Sequence, residues 1–289
     1  CRLCRRDSGF FRLSPRRKQK MPAQIWRVIY PRGIHFGISQ IVAYAGLYFL
    51  VLRNGGNKDA YYGQVMMLTG LTGLLALIPT LFFYKKDLAA RKYGGILKEK
   101  RTRKLGFWEG ILLFFMGGAL AQYINMIVNI LLMGSDASMK YQNTVERMTG
   151  GKTLLSMILW IGIVAPLAEE AIFRWLIFLR FRDNLRLITA AILSGVMFGI
   201  YHGNLVQGIY ASILGTVFAL LLEWSGSLWG SVFLHMGANI WSLISGSAAA
   251  YIMENEERIM AWGMLALGLL ILTAFGMRYF YKKYTGRNR

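Results

Sequence analysis

Apolar residues in this chain fall in blocks instead of alternating with polar ones. Eight stretches can be drawn: Ile34–Leu52, Tyr62–Tyr84, Phe107–Met133, Leu154–Leu179, Leu187–His202, Gly208–Leu222, Leu228–Ser247 and Ile259–Tyr281. Most reach the roughly 17 residues that a helix rising about 1.5 Å per residue needs to cross a bilayer, and the fifth and sixth are shorter. No period of 2 or 3.6 dominates inside them, which argues against half-buried strands and surface helices. The pattern predicts an all-α polytopic membrane bundle of about eight transmembrane helices. No fixed-period repeat or low-complexity linker divides it. The expected organisation is a basic N-terminal segment over 1–33, one integral membrane domain over 34–281 and a basic tail over 282–289.

The net charge of +20 would suggest nucleic acid in a soluble protein, but its placement gives a different reading. Ten Lys and Arg lie between Arg2 and Arg32 and nine between Lys85 and Lys104. Further ones sit at Arg180, Arg182 and Arg186 and in the tail KKYTGRNR. With eight spans all four clusters share one side, so the positive-inside rule puts both termini in the cytoplasm. Anionic lipid is the partner expected at these loops, and no nucleic acid. A multi-pass protein of a bacterial plasma membrane follows from the compact, all-membrane build.

The only cysteines, Cys1 and Cys4 in CRLC, have no second pair and no nearby histidine to complete a zinc site. No small-residue cleavage site follows the first apolar block, so no cleavable signal peptide is expected. MPAQIWRVIYPRG reads as an ordinary cytoplasmic lead-in beginning at Met21, and residues 1–20 are expected to be dispensable.

Candidate chemistry lies where hydrocarbon should forbid it. The fourth block contains APLAEEAIFRW, with Glu169, Glu170 and Arg174 following Pro166. The proline removes an N–H and should kink the helix. Helical spacing sets Glu170 and Arg174 on one face as an i, i+4 pair and turns Glu169 about 100° away. One carboxylate can be neutralised by the arginine while its neighbour stays available. His202 ends the fifth block one turn after Phe198, and His235 on the seventh precedes Asn239 by one turn. Each histidine alone reads as an ordinary core residue. Together with the carboxylates and the amide they suggest hydrolysis: a Glu/His pair to take a proton from water and a His/Asn pair to hold an oxyanion.

EEAIFR fits EExxxR, FGIYH fits FxxxH and HMGAN fits HxxxN, in order along Pro166–Asn239. The trio resembles the CPBP family of intramembrane proteases, also called the Abi or CAAX-protease family. The resemblance implies an intramembrane endopeptidase acting on a membrane-associated peptide or protein. In it Glu169 and His202 would activate water, His235 and Asn239 would bind the oxyanion, and Glu170 and Arg174 would shape and charge-balance the site. Metal dependence stays open at this point: Glu169, His202 and His235 make a His₂Glu set suited to zinc, whereas Asn239 and the second carboxylate suit a metal-free route. Counting residues from the span ends puts Glu169 and Asn239 at about 15 Å from the cytoplasmic face, His202 near 22 Å and His235 near 10 Å. Span ends misplaced by a turn, or tilted helices, would reconcile them.

Two other functions fit the same residues: a proton-coupled transporter using Glu169, Glu170 and His202 as a relay, and a non-catalytic immunity or regulatory protein using the pocket for binding. Gln122, Asn125 and Asn129 read as interhelical glue, with the lining of a substrate groove as the alternative. Gly70, Gly73, Gly117 and Gly118 read as close helix contacts, Glu223 and Trp224 as a boundary anchor, and His35 as interfacial.

Overall fold

The computed structural model describes residues 21–56, 58–93 and 103–287, so the expectations for Cys1, Cys4 and residues 1–20 lie outside the described residues. Ten helices follow one another along the described chain: α1 Met21–Leu50, α2 Lys58–Tyr62, α3 Val65–Tyr93, α4 Phe107–Leu131, α5 Asp136–Thr149, α6 Leu154–Arg182, α7 Leu187–Tyr201, α8 Leu205–Ser225, α9 Leu228–Met253 and α10 Glu256–Arg287. Every one of the eight apolar blocks is helical. Six helices, α1, α3, α4, α6, α8 and α10, are long and apolar enough to cross a membrane. The other two depart for different reasons. Helix α7 has only 15 residues, and the apolar run of the continuous helix α9 is punctuated by Ser231, His235, Asn239 and Ser242.

The first helix begins well before the predicted span. Its apolar stretch starts at Ile25, because Arg27 within the supposed lead-in is answered by Asp87 of α3 at 3.2 Å and so does not end the helix. Pro31 sits inside α1 and has no N–H for the carbonyl of Arg27 one turn back. Arg180 of α6 donates to that carbonyl instead. A freed carbonyl in a lipid-facing helix costs several kcal/mol unless something satisfies it.

Ion pairs tie the helix ends on one face of the bundle. Arg180 pairs with Asp87 at 2.5 Å, Arg91 with Asp183 at 2.9 Å and Arg182 with Glu223 at 3.0 Å. Glu109, at the start of α4, accepts from Arg103 at 2.6 Å and also from Lys283 near the end of α10. These contacts gather the C-terminal ends of α3, α6, α8 and α10 with the N-terminal end of α4, so α4 runs opposite to the other four. Glu223 is thus a tied boundary residue. The outward faces are apolar, with Ile41, Ile78, Phe82, Ile130, Leu131 and Phe275 all exposed, as lipid contact requires.

Small residues set the closest helix pairs. A Cβ at Gly117 of α4 would lie 1.8 Å from the carbonyl oxygen of Leu234, and one at Gly237 of α9 would lie 1.8 Å from that of Phe114. The two backbones therefore touch on both sides of the crossing, directly beside His235. Gly70, Gly73 and Gly118 likewise meet Trp160, Ala168 and Trp241. Gly237→Ala is expected to push α9 off α4 and cost about 1–3 kcal/mol, the usual range for overpacking. Thermal unfolding in detergent should show a lower midpoint, while Gly263→Ala, with open space at its Cβ, should show none.

Candidate functional site

Helix α6 carries the carboxylates and is not a regular α-helix. Stretches Ile158–Val164 and Ala171–Phe178 have π geometry, and they flank a short α-helical piece, Ala165–Glu170. The expected simple kink at Pro166 is instead a widening, for which the register gives the reason. In the first π stretch Ala165 N–H bonds to Trp160 O, five residues back. The next carbonyl, Ile161 O, should receive the N–H of residue 166, which is proline. Asn239 of α9 supplies the missing donor, its Nδ2 lying 2.8 Å from Ile161 O. Wide turns of this kind occur often at functional sites.

The i, i+4 pair forms as its spacing predicts, with Arg174 Nε 3.2 Å from Glu170 Oε2 and both side chains fully buried. Glu170 has a second partner that the sequence did not reveal. Its Oε1 accepts from His235 Nδ1 at 3.0 Å, so a carboxylate orients the histidine and fixes which ring nitrogen carries the proton. That directs His235 Nε2 at Glu169, whose Oε2 is 3.7 Å away. At that separation the two groups are neighbours without a hydrogen bond between them. Behind them the guanidinium of Arg174 lies 4.5 Å from the centre of the Phe198 ring and 5.3 Å from that of Phe218. The aromatic faces take over part of the solvation that its buried N–H groups lack.

His202 closes α7. Gly203 follows with φ +72°, a left-handed turn that glycine adopts without strain. Asn204 then caps α8 by accepting from Gln207 N–H at 2.7 Å. His202 Nδ1 donates to Phe198 O at 2.8 Å, which leaves the lone pair on Nε2. The Phe198 ring organises the group: it meets His202 edge-on at 4.7 Å, His235 at 5.5 Å and Phe173 at 5.1 Å. Phe218 of α8 was missed by sequence reasoning, although it stacks on His235 at 4.7 Å. An apolar aromatic inside an apolar span gives no signal of its own.

A cavity of about 700 Å³ opens inside the bundle, and Glu169, Phe198, His202, His235 and Asn239 all line it. Glu170 and Arg174 lie behind its wall. Residue counting had left these groups at different depths. Helix α6 continues to Arg182, and its π stretch between Glu169 and that end packs more residues into each turn, so the climb per residue is smaller than α geometry assumes. Two bland readings also change. His35 is buried, with the Tyr201 hydroxyl 3.2 Å from its Nε2, and so is not interfacial. Gln122 accepts from Trp241 Nε1 at 3.0 Å as interhelical glue, whereas Asn125 lines the cavity.

Zinc can be tested against the donors. Glu169, His202 and His235 line the same cavity, but among the described residues no three His, Cys, Asp or Glu side chains converge to hold one ion. As placed, the His₂Glu side chains do not converge on one three-ligand zinc position.

Comparison with known proteins bears on the same segment. The Rce1-like family, described as type II CAAX prenyl endopeptidase Rce1-like, matches residues 151–241. The protein named "Putative membrane peptidase YdiL" of Bacillus subtilis (strain 168) is 33% identical over 88 residues, covering 30% of this chain and 36% of its own length. The alignment thus spans about a third of the curated relative it matches. No solved structure matches the chain. The three ordered motifs, the family match and this relative together make residues 151–241 of this integral, multi-pass helical membrane protein similar to the CPBP family of intramembrane proteases.

Proposed function

We propose that the chain is an intramembrane endopeptidase that hydrolyses a peptide bond of a membrane-associated peptide or protein, working by Glu/His-activated water without routing any step through a metal. The observation carrying this reading is that Glu169, His202, His235 and Asn239, brought from three helices, all open on one cavity within the bundle. Ligand sites of this kind typically enclose about 300–1,000 Å³.

In the proposed reaction a water held by Glu169 and by the Nε2 lone pair of His202 gives its proton to Glu169 as its oxygen attacks the scissile carbonyl. Negative charge then develops on the carbonyl oxygen. His235, as an imidazolium, donates from Nε2 to that oxyanion, with Glu170 stabilising the positive ring through Nδ1. Asn239 uses one Nδ2 hydrogen on Ile161 O and offers the other to the oxyanion. Collapse of the tetrahedral intermediate breaks the C–N bond, and the Glu169 carboxylic acid returns its proton to the leaving amine.

The topology consistent with this reading has both termini in the cytoplasm, because the ion-paired, Arg-rich face carries the charge surplus.

Purified full-length chain in proteoliposomes, incubated with membrane-derived peptides, is expected to release new amine termini and to carry no solute or proton flux. Flux without cleavage would favour the transporter. A biological effect that survives loss of both Glu169 and Glu170 would favour the non-catalytic binding protein.

A further inference from the structure

The buried and half-buried arginines among the described residues are paired with a regularity that isolates one of them. Arg27, Arg91, Arg103, Arg174, Arg180 and Arg182, all buried or half-buried, each have a carboxylate within 4.0 Å. Half-buried Arg32 has none among the described residues. It lies five residues beyond Arg27, hence about 7.5 Å further along α1, within the apolar span that begins at Ile25. An intramembrane charge without a partner is costly and, where it occurs, usually faces a substrate path.

Arg32 faces such a path, because it lines the cavity that holds Glu169. Among the described lining residues it is the sole arginine or lysine and Glu169 the sole carboxylate. Its guanidinium sits 6.0 Å from the centre of the Tyr201 ring, at the outer limit of a cation–π contact. Tyr201 is in turn held by His35 at 3.2 Å. Tyr201 and Glu169 line the same cavity as Arg32. A guanidinium offers five donors in a planar fork that matches a carboxylate.

We propose that Arg32 is a specificity-determining residue that binds a carboxylate of the peptide substrate, so that the cavity selects anionic peptides. The inference rests on the endopeptidase reading above and adds the substrate class to it. The carboxylate has two possible sources, the C-terminal α-carboxylate or an Asp or Glu side chain, and the chemistry at Arg32 is the same for both.

The test measures binding apart from turnover. The full chain carrying Glu169→Gln, in phosphatidylcholine nanodiscs, is titrated with an N-acetylated apolar pentapeptide in three forms: free acid, C-terminal amide, and C-terminal amide with one glutamate replacing an apolar residue. At least one anionic form is expected to bind roughly tenfold or more tighter than the apolar amide, which is what a hydrogen bond to a charged group is worth. Which form gains identifies the source of the carboxylate. Adding Arg32→Gln should abolish the preference and leave apolar-amide binding unchanged. Three forms binding within twofold of each other, or none binding, overturns the proposal. So does a uniform loss in Arg32→Gln that phosphatidylglycerol modulates, since the guanidinium would then be serving a lipid headgroup. If wild-type protein cleaves nothing while the anionic preference persists, the endopeptidase reading fails and the carboxylate subsite stands.

Discussion

Glu169→Gln is expected to abolish peptide hydrolysis while leaving the protein folded in the membrane. The substitution keeps shape and volume and removes only the charge and the basic oxygen. The Glu169 side chain is 19% exposed and, among the described residues, has no ion-pair partner but His235, so little structure depends on it. A positioned general base contributes about 10²–10⁴-fold, and the loss should appear in kcat with KM little changed. His202→Ala should fall by a similar factor. The double variant should be no worse than either single one, because residues acting on the same water act as a unit. Thermal unfolding in detergent, run beside the cleavage assay, separates this from misfolding. Cleavage retained in both single variants would falsify the proposed water activation.

Arg174→Met has the larger expected effect on stability. Arg174 and Glu170 are both fully buried, and the arginine is the one cation paired with that carboxylate other than His235. Removing it leaves a buried negative charge with only an imidazole to oppose it. Breaking a buried pair from one side costs about 3–5 kcal/mol, enough to remove most folded protein from the membrane fraction. Replacing both partners, as Glu170→Gln with Arg174→Met, removes the uncompensated charge. Stability should then recover by a large part of that loss, a coupling that a double-mutant cycle measures. Activity should not recover with it, because His235 Nδ1 would lose the carboxylate that supports its imidazolium. Equal damage from Arg174→Met and the double variant would mean that packing against Phe198 and Phe218 matters more than the charge. Full activity in the double variant would show that Glu170 does not position His235.

The cavity links these two results. Glu169 faces it and Glu170 lies behind it, although the two are neighbours in sequence. Adjacent helical positions diverge by about 100°, so a single turn can supply one carboxylate to solvent-accessible chemistry and one to a sealed ion pair. A soluble enzyme could leave the second to water; in hydrocarbon it needs both Arg174 and His235.

Sequence alone determined the all-helical class, the eight helical blocks, the i, i+4 pairing of Glu170 with Arg174 and the residues worth suspecting. Block length and the cost of intramembrane charge are local properties, legible without coordinates. Tertiary structure alone decided the rest. It joined His235 to Glu170, set Asn239 on the carbonyl that Pro166 leaves unpaired, brought Phe218 onto the His235 ring and turned Arg32 and His35 into the cavity. Each of these contacts crosses from one helix to another, and helix crossing is fixed by where glycines let backbones touch. A linear pattern records which face of a helix is polar, but not what that face will meet.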